Sequence, residues 1–149
     1  MAPEVKEAMI LAWDHYGNPS GTNTSARSAD VLVENSREEI ATALGVNPLE
    51  VILTSGSTEA LTIALWGQIL GAPASRSKVL VSAIEHEAVL ATAEVACKIA
   101  KKELVIIPVI GFSDSIQVGQ VNLEFISENI GADVALIAVM AVNNETGII

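Results

Sequence analysis

The chain has 149 residues, half of them apolar, and carries 18 acidic against 8 basic residues for a net charge of −10. That length allows one domain with a sizeable core, and an apolar content this high excludes a disordered chain. The acidic balance disfavours nucleic acid and anionic membrane surfaces as partners, while a single cysteine, Cys97, rules out a disulfide framework or a multi-cysteine metal site within the chain.

Aromatic residues are only 3% of the chain. The core is therefore expected from Ile, Val, Leu and Ala, the usual filling of a buried parallel sheet. Pro3 to about Asp14 reads as a helix, with Pro3 in its first turn and Val5, Met9 and Ala12 or Trp13 at helical spacing. His15 follows as a cap for that helix end. Gly17 to Ser25, GNPSGTNTS, is a loop. A long helix covers Ala26 to Leu44, with Ala29, Leu32, Val33, Ser36, Ile40 and Ala43 or Leu44 on one face and Gly45 as its stop. Arg27 and Arg37 on it read as structural partners for acids such as Asp30 or Glu34.

Asn47-Pro48 is a turn, and Val51 to Thr54 a short strand. Gly56 breaks it, and a helix runs from Ser57 to about Leu70. A loop with Gly71, Pro73 and Ser75 leads into a strand, Lys78 to Ser82. His86 to about Lys101 is helical, with Cys97 on its apolar face as a small buried hydrophobe. Leu104 to Val109 is a strand, followed by a polar segment with Gly111 and Gly119. Leu123 to Asn129 is a short helix and Val134 to Val142 a last strand, too short to span a bilayer as a helix. Alternating helices and continuously apolar strands predict an α/β fold: a mainly parallel sheet flanked by helices in three layers. The acidic N-terminus MAPEVKEAM does not read as a signal peptide, so a cytoplasmic protein is the expectation.

Three segments end strands and open turns or helices, where open α/β sheets bind ligands. In TSGST, Gly56 would let the chain turn, and Ser57 and Thr58 would set hydroxyls beside the free N–H groups of a helix first turn. That is a cradle for phosphate, or a plain helix cap. Glu59 suits the helix dipole and not a phosphate contact. His86, in SAIEHEAV, can lie over a flat ligand or exchange a proton, with Glu85 and Glu87 favouring its charged form if close; it also reads as a surface histidine. In AVNNETG, an asparagine can hydrogen-bond a ligand oxygen, or the segment is an Asx turn. No set of residues has metal-ligand spacing or forms a nucleophile elbow.

Taken in order, PEVKEAM, GNPSGTN, LTSGSTEA, SAIEHEAV and AVNNETG resemble the NifS/IscS-like cysteine desulfurases, class V relatives among the fold-type I pyridoxal-phosphate enzymes. The resemblance covers Pro3 to Ile149. It implies pyridoxal 5′-phosphate as cofactor, its phosphate on Ser57 and Thr58, and the His86 ring stacked on the pyridine and assisting proton transfer. It implies Asn144, rather than Asn143, on the phenolic oxygen. It also implies L-cysteine as substrate, converted to alanine with sulfur passed to an enzyme cysteine, for iron-sulfur cluster or thio-cofactor synthesis. A homodimer and a sulfur-acceptor or scaffold protein belong to the same picture.

The chain departs from the family pattern at Asn23, where a histidine is usual, at Thr62, where asparagine is frequent, and at its start, where only Pro3 of a longer motif survives. The family's pyridine-pairing aspartate, Schiff-base lysine and catalytic cysteine have no match here. The expectation is thus an incomplete cofactor-binding large domain over residues 1–149, inactive by itself, with β edge exposed at its last strand. Other class V activities (selenocysteine lyase, epimerase-like protein, kynureninase) and a non-catalytic truncated protein are the alternatives.

Overall fold

A computed structural model describes residues 1–111 and 119–149. The polar segment expected between Gly111 and Gly119 therefore lies mostly outside the described residues. The chain divides into two compact units, Met1–Leu53 and Thr54–Ile149, each described by itself.

The first unit is helical. Helix α1, Pro3–Ala12, starts on its proline and buries no residue. The expected continuation to Asp14 is instead a short 3-10 turn, Trp13–His15. His15 does not cap α1: its Nδ1 lies 2.7 Å from the Ser28 hydroxyl. Helix α2, Thr24–Leu44, begins two residues earlier than expected because the Asn23 carboxamide caps it, accepting the Ala26 N–H at 2.8 Å. Gly45 ends it in the left-handed region, φ 69°, as its position predicted. Ala26, Ala29 and Ala41 form its buried face, and Ile40 is exposed instead of turned inward. Arg37 pairs with Glu34 at 3.1 Å and also donates to the Val51 carbonyl.

That last bond bears on a failed expectation. Val51–Thr54 is not a strand. Apolar β-branched residues suit a strand only where a neighbour completes the ladder. Here Val51 donates to the Pro48 carbonyl and accepts from Arg37, and Ile52 and Leu53 stay exposed.

The second unit holds helix α3, Ser57–Gly71, then strand β1, Lys78–Ser82, helix α4, Glu87–Ala100, strand β2, Glu103–Ile107, helix α5, Leu123–Asn129, and strand β3, Val134–Ala138. The three strands form a parallel sheet in the order β2-β1-β3, the mixed α/β architecture expected. Central β1 is buried from Val79 to Ser82, as its unbroken apolar run requires. Edge strand β3 is half-buried along its length. On one side of the sheet, Leu65 and Ile69 of α3 pack with Val89, Ala93, Ala96 and Cys97 of α4 and with Val79 and Val81. Burial pushes the Cys97 thiol up, against the pull of Lys102, so it is an inert core group.

Lys102 sets the relative direction of α3 and α4. Its ammonium donates to the carbonyls of Ala72, Pro73 and Arg76, at 3.2, 3.1 and 2.6 Å. Ala72 is the cap of α3 and Lys101 that of α4, so the two C-terminal ends are tied together. The helices have 15 and 14 residues and pack against each other. At equal rise per residue, their N-terminal ends lie toward the same end of the layer. That end is the C-terminal edge of the sheet, since α4 starts just beyond Ser82 of β1.

At the opposite edge, Lys78 Nζ pairs with Asp133 at 2.9 Å, and the Lys78 N–H bonds the Asp133 carbonyl. The Lys78 hydrogen bond holds the Asp133 carboxyl below its ordinary value, and the same bond raises Lys78. The aspartate's contribution is complete above the ordinary carboxylate range and is lost as pH falls through its depressed folded value. The lysine's is complete below its ordinary value and is lost as pH rises through its raised one. Asp133→Asn should therefore lower the melting temperature slightly across the neutral plateau. The gap to the parent should close at the acid and alkaline extremes, a result that thermal melts over a pH series would show. The pair is exposed, so the effect is small.

Candidate functional site

In the strand order β2-β1-β3, the chain steps from β1 to one neighbour and then returns past it to the other. The loops leaving β1 and β3 thus lie side by side above the sheet's C-terminal edge, at the switch point where open α/β sheets hold ligands. Residues 83–86 and 139–147 are those loops. The first turn of α3 faces the same edge by the helix argument above.

Ser57 and Thr58 open α3 and are exposed, and their hydroxyls have no hydrogen-bond partner among the described residues. The first bonded N–H of the helix is that of Ala60, to the Gly56 carbonyl, so the preceding amides point out of the helix start unpaired. Neighbouring polar groups are engaged elsewhere. Thr62 donates back to the Thr58 carbonyl at 2.8 Å. Glu59 folds onto Ser55, accepting its N–H at 2.6 Å and its hydroxyl at 2.7 Å, and the backbone bond leads in holding its carboxyl below the ordinary range. Gly56 differs from expectation: its backbone is extended, φ 162°, and a Cβ there would meet open space. The turn itself does not demand glycine.

His86 is the cap of α4 rather than its first residue. Its Nδ1 accepts the Ala88 N–H at 3.1 Å. In this arrangement Nδ1 carries no proton, and the neutral ring holds its proton on Nε2, directed away from the cap. Glu85 does not serve the histidine as the sequence suggested. Its Oε1 accepts from the buried Ser82 hydroxyl at 2.8 Å and from the Met140 N–H. The Met140 amide is thereby withdrawn from any ladder, which explains why β3 ends at Ala138 and not at Val142.

The two asparagines have different duties. Asn143 donates to the Ile84 carbonyl at 2.9 Å, and its Oδ1 accepts from the N–H groups of Glu145 and Thr146 and the Thr146 hydroxyl, at 3.0, 2.8 and 3.1 Å. It is the Asx turn. Asn144 is exposed and its carboxamide has no partner among the described residues. Hydrogen bonds from Glu85 and Asn143 thus bring the loops of His86 and Asn144 together. Among the described residues no side-chain bond links Ser57 or Thr58 to either of them. An apolar cavity of about 270 Å³ adjoins the two loops, lined by Ile84, Val139, Met140, Val121, Leu123 and Ile148 among others.

Lys102 had no role in the sequence reading, since it lies on no periodic face, and Glu85 was read only as a neighbour of the histidine. Among the described residues no cluster of His, Cys, Asp and Glu can hold a metal ion, and no helix is long and apolar enough to cross a membrane.

A parallel sheet with a histidine and an amide on the loops at its C-terminal edge is the setting in which α/β proteins hold ligands. The chain belongs to the aminotransferase class-V family, whose model matches residues 2–149. It is similar to the cysteine desulfurase of Frankia sp. (strain EuIK1), 37% identical over 149 residues, which cover 97% of this chain and 35% of that protein. It is also similar to cysteine desulfurase IscS 1 of Archaeoglobus fulgidus, 35% identical, covering 97% of this chain and 36% of that one. The mitochondrial cysteine desulfurase of Drosophila melanogaster is 32% identical over 99% of this chain and 31% of its own length. Among solved structures, a NifS-like protein superposes with a TM-score of 0.77 at 28% identity, over 97% of this chain and 38% of that one. SspA in complex with cysteine gives 0.75 at 27% identity, over 97% and 40%. The chain spans about a third of the length of the curated relatives it matches. Membership of this family implies pyridoxal phosphate chemistry in general terms.

Proposed function

We propose that this chain supplies the phosphate-and-ring cradle for pyridoxal 5′-phosphate in a cysteine desulfurase. Ser57 and Thr58, with the open amides of α3, would hold the phosphate. The His86 ring would cover the pyridine, and Asn144 would donate to the phenolic oxygen. One observation carries the reading. Among the described residues the Ser57, Thr58 and Asn144 side chains and the His86 Nε2 have no hydrogen-bond partner, while Glu59, Thr62, Glu85 and Asn143 beside them in sequence are each engaged in internal hydrogen bonds. When bound, the cofactor supplies an electron sink for bonds at the substrate's α-carbon. The chain's own contribution is to neutralise phosphate charge with N–H and hydroxyl donors, and to hold a proton on His86 Nε2 over the ring.

The whole enzyme would take L-cysteine, release alanine and pass the sulfur to a cysteine thiolate, for iron-sulfur cluster or thio-cofactor assembly. The names of the curated relatives support that substrate. A homodimer, a sulfur-acceptor or scaffold protein and a cytoplasmic setting complete the reading, with residues 1–149 as the front of the cofactor-binding large domain.

Titration of the chain with pyridoxal 5′-phosphate, followed by its visible absorption, tests the cradle. Thr58→Ala should weaken binding about tenfold, the loss of one charge-assisted hydrogen bond, and inorganic phosphate should compete. Equal binding by the parent and a Ser57→Ala/Thr58→Ala double variant would sink the proposal.

His86→Asn separates cap from ring. Asparagine is a good N-cap, so this variant should melt within about 1 °C of the parent, whereas His86→Ala loses about 1 kcal/mol. Both should alter the spectrum of bound pyridoxal phosphate equally. Calorimetry and absorption on the same samples make the comparison.

A further inference from the structure

The loops that carry His86 and Asn144 are joined by a reciprocal pair of bonds. Glu85, on the loop after β1, reaches across to the Met140 N–H on the loop after β3. Asn143, on the loop after β3, reaches back to the Ile84 carbonyl at 2.9 Å. Both bonds satisfy backbone groups that the sheet has released, and a half-buried loop cannot leave such groups unpaired cheaply. Each clasping side chain stands immediately before a proposed cofactor contact in the chain: Glu85 before His86, and Asn143 before Asn144. Glu85 is itself anchored from below by the hydroxyl of Ser82, which is fully buried at the end of β1.

We propose that Glu85 is a positioning residue whose carboxylate oxygen fixes the spacing between the loop of His86 and the loop of Asn144. This rests on the cofactor reading only for its consequence in binding; the clasp itself stands on the geometry. Ser82 and Met140 both donate to the same oxygen, Oε1. An amide carbonyl at that position accepts both bonds, so the role is one of reach and acceptance and does not depend on charge. Shortening the side chain by one methylene withdraws that oxygen from Met140.

The test compares Glu85→Ala, Glu85→Asp and Glu85→Gln in the full chain by two readouts. The first is NMR: exchange of the Met140 amide with solvent, and the resonances of the His86 ring and the Asn144 side-chain amide. The second is affinity for pyridoxal 5′-phosphate. Glu85→Ala and Glu85→Asp should speed Met140 exchange about tenfold or more, move the His86 and Asn144 resonances and weaken cofactor binding about tenfold, the scale of one lost hydrogen bond to a charged group. Glu85→Gln should restore all of these. Thr58→Ala serves as the contrast: it weakens binding while leaving Met140 exchange unchanged. Should the parent chain fail to bind pyridoxal phosphate, the cofactor reading falls, and the clasp is still decided by the exchange and resonance data. Unmoved His86 and Asn144 resonances in Glu85→Ala overturn the inference. If Glu85→Ala does not fold, Glu85→Gln decides: native spectra support the inference, and displaced or unfolded spectra overturn it.

Discussion

Ile69→Ala should cost the chain on the order of 3 kcal/mol, within the range for truncating a fully buried isoleucine. Ile69 has no exposed surface and sits on α3 where that helix meets α4 and β1. Its neighbours include Ala93 and Ala96, whose short side chains cannot swing in to fill the space, so the cavity term adds to the lost transfer energy. A chain of this size shifts its melting temperature by roughly 2–4 °C per kcal/mol, so a drop of about 6–12 °C is expected. Ile63→Ala, on the same helix but 47% exposed, supplies the control and should move the midpoint little. Equal shifts for the two variants in thermal melts would mean that the α3–α4 seam is not the core of this unit. The loss bears on the proposed cradle because the same seam packs α3 against α4.

The second large effect separates two adjacent asparagines. Asn143→Ala removes a donor from the Ile84 carbonyl and an acceptor from three groups of Glu145 and Thr146. Leaving such partners unpaired costs about 2 kcal/mol, given that the site is half-buried. Asn144→Ala removes an exposed side chain with no partner among the described residues, and should change stability by no more than about 0.5 kcal/mol. On pyridoxal phosphate the order reverses in kind: Asn144→Ala should weaken binding about tenfold through one missing donor in an otherwise intact fold. Denaturant melts and cofactor titrations of both variants check this. A stable Asn143→Ala with normal melting would show that the turn has other support. Normal cofactor affinity in Asn144→Ala would remove that residue from the proposed site.

Much of the fold was legible because it rests on local rules. Pro3 and Gly45 mark helix ends by fixed or permissive φ, and the apolar runs at 78–82 and 134–138 read as strands of a covered sheet. The errors fall where a distant partner decides. Val51–Thr54 has strand composition but no ladder, and its carbonyl goes to Arg37, fourteen residues back. The strand from Val134 stops at Ala138 because Glu85, 55 residues away, takes the Met140 amide. His15 turns to Ser28 instead of its own helix end.

The candidate site divides along the same line. From the order of its residues alone, the chain determined a parallel α/β fold, the places where strands give way to turns, and a set of motifs specific enough to indicate its family. Those features depend on periodicity, on glycine and proline, and on side chains adjacent in sequence. Only the tertiary structure decided which polar groups near the sheet edge are free. It assigned Asn143 to the turn, left Asn144 without a partner among the described residues, made His86 a cap through its Nδ1, and turned Glu85 from a neighbour of the histidine into the clasp between two loops. The reason is physical: whether a polar side chain is available to a ligand depends on which backbone groups lie within about 3 Å of it, and at a switch point those groups belong to strands far apart in the chain.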